Sequence, residues 1–303
     1  MRIRPRKSKY DKYYYLLLLL VPLIIFLVNK FSEGGIFSNK NAAKADEYTT
    51  SGYGVVHFLD VGQGDCTLIQ THDGKFALID ASVNDASDKI LKYLSDIGVK
   101  ELEYVFFTHP HEDHIGSGDE VIKNFRVNNV IMTKKTENTS AYKKLYKSIE
   151  KSKKQNGTKL ISPKVGDTYM LSDTLFTVIS DGKDYENLND SSICLKMELG
   201  ESSFLFTGDA EKEVESDILK SGFNIDSDVY HCGHHGSSTS NSPEFVDAVS
   251  PEYAIVSCAK GNDYGHPHRE VVSYFKDKNI PLLITHEKGN ILIGYNKDGI
   301  ILG

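Results

Sequence analysis

Three histidines and two acids fall within six residues at His109, His111, Glu112, Asp113 and His114, directly after the apolar Val105, Phe106 and Phe107. Imidazole and carboxylate are the side chains suited to zinc, manganese or iron. His109 and His111 stand two apart, so in an extended loop they point to one side. Asp113 and His114 follow where the chain must turn, and can face a second ion. A merely solvated loop after a strand rarely concentrates histidine in this way.

Four further places share this form. An apolar run over 76–79 ends on Asp80, and another over 204–206 leads to Thr207, Gly208 and Asp209. A carboxylate at the end of a buried strand is costly unless paired or metal-bound. The run 229–231 leads to His234, His235, Gly236 and Ser237, and His266 and His268 flank Pro267 before a helical pattern. Taken singly, Asp209 reads as a helix cap and each histidine as a surface or core residue. Beside His109 they become strand-end polar groups able to converge on one rim.

The elements that would position these groups are short apolar runs alternating with helical patterns. Strands are expected over 55–59, 66–70, 76–79, 104–108, 129–133, 174–179, 192–199, 203–207, 229–231, 253–257, 282–285 and 291–295. Helices are expected over 88–97, 119–124, 141–155, 210–221, 243–249 and 269–278. Within 88–97, Ile90, Leu91, Leu94 and Ile97 share one helical face. Hairpin pairs mixed with strand–helix alternation suggest an α/β domain of two sheets between helices.

The 303 residues carry 35 Lys and Arg against 42 Asp and Glu, a net charge of −7, with 40% hydrophobic residues. These values exclude disorder, collagen and coiled coil as the main architecture. The charge is unevenly divided. Residues 1–30 hold seven basic residues and one acid, Asp11, which leaves 28 basic and 41 acidic residues beyond them. So acidic a body has no overall attraction to nucleic acid or anionic lipid, although a local basic groove stays open. The basic head precedes a 16-residue run, 13–28, apolar apart from three tyrosine hydroxyls. That is the lower edge of the about 17–25 residues of a spanning helix. Its flanking charge puts the N-terminus inside and the rest outside the cell membrane as a single-pass protein. The rival is a signal peptide cleaved near Ala43, Lys44 and Ala45, which would leave a secreted protein. Residues 1–30 are thus read as head and anchor, 31–52 as an aperiodic linker and 53–303 as the domain. Cys66, Cys194, Cys232 and Cys258 are widely spaced in apolar runs and read as buried small hydrophobes.

The spacing His109-x-His111-x-Asp113-His114 resembles the signature of the metallo-β-lactamase superfamily. Asp60 to Asp65, Thr207 to Ala210, Gly233 to Ser237 and Tyr264 to His268 are similar to stretches of the exported hydrolase domain of ComEC competence proteins. The resemblance covers about Gly54 to the C-terminus. It implies a four-layer αββα sandwich, here preceded by one N-terminal hydrophobic helix, with two divalent ions (zinc, with manganese as the alternative) at one edge. It implies His109 and His111 on the first ion, Asp113 and His114 on the second, and Asp209 bridging both. A histidine of the His234–His235 pair would complete the second site, with His235 favoured. Asp80, and in a similar supporting role Asp65, would orient ligand histidines. The glycines of the 62–64 turn would alternatively allow close approach of an anion. The superfamily's usual further histidine is missing, since none lies between 115 and 230. Asn189 or Asp190, or water, would stand in its place.

This ligand set implies hydrolysis, because bound ions lower a water's pKa from about 15.7 toward 7 and so yield a hydroxide nucleophile. Asp113 would accept or steer the proton, His266 or His268 would protonate a leaving oxygen, and Ser237 would hydrogen-bond a phosphate. The activity that the resemblance implies is a phosphodiesterase or nuclease acting on extracellular DNA, with competence or cell-envelope machinery as partners. The alternatives are a small or envelope phosphodiester such as a phosphocholine ester, a β-lactamase, and a non-catalytic scaffold. The single hydrophobic segment excludes a DNA channel.

Overall fold

The computed structural model describes residues 40–182 and 185–302. Strands β1 (Gly54–Phe58), β2 (Thr67–Gln70), β3 (Phe76–Ile79), β4 (Glu101–Phe107), β5 (Arg126–Met132) and β6 (Lys159–Ile161) form one sheet with β14 (Ile291–Asn296) and β15 (Gly299–Leu302). Its order is β15-β14-β1-β2-β3-β4-β5-β6. The other strands are β7 (Thr168–Leu171), β8 (Thr174–Asp181), β9 (Ile193–Leu199), β10 (Ser202–Phe206), β11 (Val229–His231), β12 (Tyr253–Val256) and β13 (Leu282–Ile284). They form a second sheet ordered β13-β12-β11-β10-β9-β8-β7.

Each sheet joins an antiparallel part to a parallel part. Pairing is parallel from β3 through β6 and from β10 through β13. A parallel strand needs a crossover, and the crossovers supply helices that cover the outer faces. Over the first sheet lie α2 (Ser87–Ile97), α4 (Gly118–Asn124) and α5 (Ser140–Asn156), which follow α1 (Lys40–Thr50) and the short α3 (Glu112–Ile115). Ile90, Leu94, Val121, Leu145 and Ile149 pack there with Leu78, Val105 and Val130. Over the second sheet lie α6 (Lys212–Ser221), α7 (Pro243–Val249) and α8 (Arg269–Asp277), and α9 (Thr285–Lys288) is a single turn. Val214, Ile218, Phe245 and Phe275 cover Leu205, Tyr230 and Ala254. Between the sheets Phe58, Phe106 and Ile131 meet Phe176, Leu195 and Phe206. In β4 and β10 neighbouring residues thus point into different cores. That accounts for the continuous apolar runs before His109 and Asp209. All four cysteines are free and buried, as expected.

The structure departs from the sequence reading at the periphery. The segment 40–50, read as part of an aperiodic linker, is α1. Ala45 and Tyr48, three residues apart, bury one face against Val55 and Leu292. A Cβ on Gly294 would lie 3.2 Å from the Tyr48 ring, so this glycine makes room for the helix. Strands β6, β7 and β15 were not expected; they lie at or next to sheet edges, and β7 and β15 are largely solvated. The hydrophobic segment 13–28 lies outside the described residues. Among the described residues no helix is long and apolar enough to cross a membrane.

Candidate metal centre

The C-terminal ends of the two parallel half-sheets open on the same rim, and the chemistry-bearing residues stand there. β3 delivers Asp80 in a left-handed conformation (φ 57°). Asp80 accepts from Thr108 N (2.8 Å) through Oδ1 and from Thr108 Oγ1 (2.7 Å) through Oδ2, and Oδ2 lies 2.8 Å from His114 Nδ1. The Thr108 hydroxyl proton is thereby committed to Asp80. Its oxygen lies 3.2 Å from His109 Nδ1 and Ser192 Oγ lies 3.3 Å from the same nitrogen, so two hydroxyls hold the ring with its Nε2 toward Asp209. That Nε2 lies 2.9 Å from His111 Nδ1 and 3.6 Å from Asp209 Oδ2.

β10 delivers Asp209, whose N–H donates to Ser192 Oγ (3.0 Å). Its other carboxylate oxygen, Oδ1, lies 3.0 Å from His114 Nε2 and 3.6 Å from His235 Nε2. β11 leads to His235, also left-handed (φ 54°). Its Nδ1 lies 3.0 Å from Ser257 O and 3.2 Å from Asp65 Oδ1, and its Nε2 lies 3.2 Å from Asp113 Oδ2. Two donor sets result, which share Asp209: His109, His111 and Asp209, and Asp113, His114, Asp209 and His235. A third grouping, Asp65, Asp80 and His114, lies behind them.

The charges are strongly coupled. Burial would raise the Asp209 carboxyl, but His114, His235 and His109 hold it well below its ordinary range. Burial opposes protonation of His114 and His235, yet Asp209, with Asp80 beside the first and Asp65 beside the second, carries both well above the usual imidazole value. Burial and the neighbouring His114 keep His109 well below it. The donor set fits divalent ions on a direct observation. His114 Nε2 and Asp209 Oδ1 are buried and 3.0 Å apart, yet neither has a hydrogen-bond partner. Buried polar atoms without partners are rare and need an explanation.

The remaining expected residues divide. Asp65 stands against His235 and Asp80 against His114. His234 is partly exposed; its Nδ1 lies 3.2 Å from Thr239 Oγ1 and from Glu211 Oε1, and its Nε2 is 3.8 Å from Asp209. It thus stands beside the cluster, not in it. Asp190 is not brought to the donor sets: its Oδ1 accepts from Glu211 N at 2.8 Å and caps that turn. Its neighbour Asn189 lines the cleft, and its buried Oδ1 has no hydrogen-bond partner. Ser237 is buried and exchanges hydrogen bonds with Thr239, away from the cleft. His268 accepts from Ser238 N (2.9 Å) through Nδ1, and its Nε2 lies 3.2 Å from Tyr264 O, so both ring nitrogens are engaged. His266 does line the cleft, with a buried Nδ1 that has no partner. Burial and then His234 bring its pKa down to about 4, so it stands neutral at pH 7.

Sequence reasoning missed Thr108, Ser192 and His231, whose Nε2 lies 2.9 Å from Ser257 Oγ. Their hydroxyl or imidazole character next to strand ends was the sole signal. It also missed the cleft donor Gln63, whose Nε2 is buried without a partner. In the 62–64 turn, packing explains Gly64. Gly64 has φ 118°, a Cβ there would lie 2.4 Å from Asp113 O, and Asp65 N donates to that same oxygen at 3.0 Å. The turn therefore grips the Asp113 backbone. The cleft above the donor sets is about 290 Å³ and opens between Gln63, Glu112, Asn189, His234, Tyr264 and His266.

The comparisons agree with this geometry. Residues 59–260 match the family model described as metallo-beta-lactamase superfamily. The chain is 31% identical over 263 residues to ComE operon protein 3 of Bacillus subtilis, covering 81% of this chain and 33% of that protein. It is 30% identical over 242 residues to competence protein ComA of Neisseria gonorrhoeae, covering 80% of this chain and 32% of that protein. The chain thus spans about a third of the length of these curated relatives. Among solved structures, the metallo-beta-lactamase fold protein YhfI of Bacillus subtilis superposes with a TM-score of 0.56 at 11% identity, over 80% of this chain and 100% of that one. A family model covering two thirds of the sequence, two sheets with their parallel ends at one rim and a shared His/Asp cluster lead to one assignment: the chain belongs to the metallo-beta-lactamase superfamily.

Proposed function

We propose that this protein hydrolyses phosphodiester bonds with two divalent ions, zinc or manganese, held by His109, His111 and Asp209 and by Asp113, His114, Asp209 and His235. The observation that carries this reading is the position of Asp209, whose Oδ2 faces His109 while its Oδ1 faces His114 and His235. Ions held there supply Lewis acidity toward a phosphoryl oxygen and a water of lowered pKa. The rest falls to the chain's own residues. Asp80 and the Ser257 carbonyl orient His114 and His235 by occupying their Nδ1 atoms. Asp113 stays ionised, because the His235 hydrogen bond and the charges of His114 and His235 together outweigh burial, and so can accept a proton in the cleft. Gln63 Nε2 offers a donor to a phosphate oxygen, and His266, neutral at pH 7 and so without the extra proton expected for a leaving oxygen, offers a ring nitrogen to the cleft. Asn189, in place of Asp190, supplies the oxygen donor where the superfamily's further histidine is missing.

The ComE operon protein 3 and ComA relatives favour a nucleic-acid substrate among phosphodiesters. In the same reading the segment 13–28 anchors the domain outside the membrane, or is cleaved to release it. The test is a panel of bis(p-nitrophenyl) phosphate, single- and double-stranded DNA, a phosphocholine ester and a cephalosporin, with unaltered protein and His111→Ala. Loss by orders of magnitude on a phosphodiester is the expected result. Hydrolysis of the cephalosporin alone, or less than about one transition metal per chain after reconstitution, would overturn the proposal.

A further inference from the structure

Lysine is concentrated in one part of this acidic body, and the metal centre uses none of it. Residues 134–164 carry ten lysines against two acids, Glu137 and Glu150. The fold gives that segment a position. β5 and β6 run parallel to β4, so their C-terminal ends open on the rim that holds His109. Lys134 and Lys135 follow β5, and Lys164 follows β6. With Asp181 and Gly182 they line a cavity of about 670 Å³. Lys135 Nζ is braced by donating to Tyr185 O at 2.9 Å. Lys134 and Lys164 are exposed, and no carboxylate among the described residues pairs with either.

One turn separates this cavity from the metal cleft. A Cβ on Gly182 would lie 2.1 Å from Ser191 O, and Thr133 Oγ1 donates to Gly182 O at 3.0 Å. The same 189–191 turn presents Asn189 to the cleft, and the next residue, Ser192, accepts from Asp209 N. Among the cleft-lining residues, Tyr264 is 65% exposed, with its ring stacked on His266 (5.6 Å between centroids, 21° between planes). A cationic cavity on one flank and an exposed aromatic face beside the reacting centre are what a single strand needs, since its phosphates seek cations and its bases seek π-faces.

We propose that Lys134, Lys135 and Lys164 form a phosphate subsite for a nucleic-acid strand whose scissile phosphate lies at the metal centre and whose neighbouring base stacks on Tyr264. This rests on the phosphodiesterase reading and narrows it to a polymeric substrate. α5, the helix between β5 and β6, carries the further exposed Lys143, Lys144 and Lys147.

The test is fluorescence anisotropy of a short, labelled single-stranded DNA with cleavage-resistant phosphorothioate links, titrated with the metal-loaded full chain over a range of salt concentrations. The variants are Lys134→Ala/Lys164→Ala, Tyr264→Ala and the distant control Lys220→Ala/Lys276→Ala. Loss of two phosphate contacts should lower the salt slope of binding by about 1.4 and weaken binding about tenfold at low salt, with the control unchanged. Tyr264→Ala should weaken DNA binding about fivefold or more, with the salt slope kept. Unaltered affinity and slope in the lysine variant would overturn the subsite. Equal weakening toward a poly(glycerol phosphate), with Tyr264→Ala silent toward both, would replace the nucleic acid by a base-free phosphate polymer and overturn the assignment. Binding needs no turnover, so hydrolysis of bis(p-nitrophenyl) phosphate by the unaltered protein reports separately on the metal-centre reading.

Discussion

Asp80 Oδ2 lies 2.8 Å from His114 Nδ1, and both groups are buried. The contact decides the face that His114 turns to the site: with Nδ1 committed to Asp80, Nε2 is left against Asp209. The same carboxylate takes both donors of Thr108, and Thr108 Oγ1 in turn holds His109 Nδ1 at 3.2 Å. One acid at the end of β3 therefore orients a histidine of each donor set.

Asp80→Asn should leave the fold in place, because the amide oxygen can still accept from Thr108. Its NH2 group can no longer accept the His114 proton. Metal affinity should fall by about 10–100-fold, as for other outer partners of ligand histidines. Competition against a chelating dye measures it, and an unchanged affinity would show that Asp80 does not orient the ligand.

The donor sets predict which histidines control stoichiometry. His111→Ala and His235→Ala should each reduce bound metal per chain, while His234→Ala should retain it. Chelation should lower the melting temperature of the unaltered protein, since a ligand bound only by the folded state stabilises it. Elemental analysis beside thermal melting checks both. A stoichiometry that responds to His234 and not to His235 would reverse the assignment.

Asn189 and Asp190 are neighbours with separable roles. Asp190→Ala should cost about 1 kcal/mol of stability through loss of the Glu211 N–H partner and leave metal content intact. Asn189→Ala should weaken metal binding with little change in stability. Urea unfolding and metal titration of the two variants distinguish these outcomes.

Gly64→Ala should distort the Asp113 loop, because the residue has φ 118° and a Cβ would lie 2.4 Å from a backbone oxygen. A loss of at least about 1–3 kcal/mol is expected from backbone strain alone. Gly62→Ala meets nothing within 4 Å and should cost only its positive-φ strain (φ 83°). Equal losses for the two would show that the close approach to Asp113 does not matter.

His57 makes stability pH-dependent away from the metal centre. Its Nδ1 lies 2.8 Å from the Tyr93 hydroxyl and its Nε2 3.2 Å from Gln70 Oε1. Burial lowers its pKa from 6.5 to about 3. The folded value lies below the unfolded one, so the unfolded chain binds the extra proton between them. The neutral ring's contribution is complete above about pH 6.5 and is lost on acidification toward about 3, at up to about 1.4 kcal/mol per pH unit. Urea unfolding at several pH values should give a shallower slope for His57→Phe than for the unaltered protein. Identical slopes would refute the assignment.

Much of the site was legible because the ligands sit directly after apolar strands. Val105 to Phe107 before His109 and Phe204 to Phe206 before Asp209 point into different cores at successive positions, and only buried parallel strands read so continuously. The periphery was less legible. α1 buries only Ala45 and Tyr48, too few for a periodic signal, and β7 presents Thr168 and Met170 to solvent. Ser237 and His268 carry the right chemistry in the right motifs, but their hydrogen bonds turn them toward Thr239, Ser238 and Tyr264.

The amino-acid order by itself determined the donor types and most of the candidate ligands, because donor types and strand-end positions are local properties. That His235 joins the cluster while His234 stands beside it, and that Asn189 lines the cleft while Asp190 holds Glu211 N, belonged to the tertiary structure. Neighbouring residues point in different directions, and only the packing of β11 and of the 189–191 turn says which direction is the cleft. The joining of the lysines after β5 and β6 into one cavity was likewise a tertiary outcome. Residues 30 apart meet there because parallel strands open on one edge.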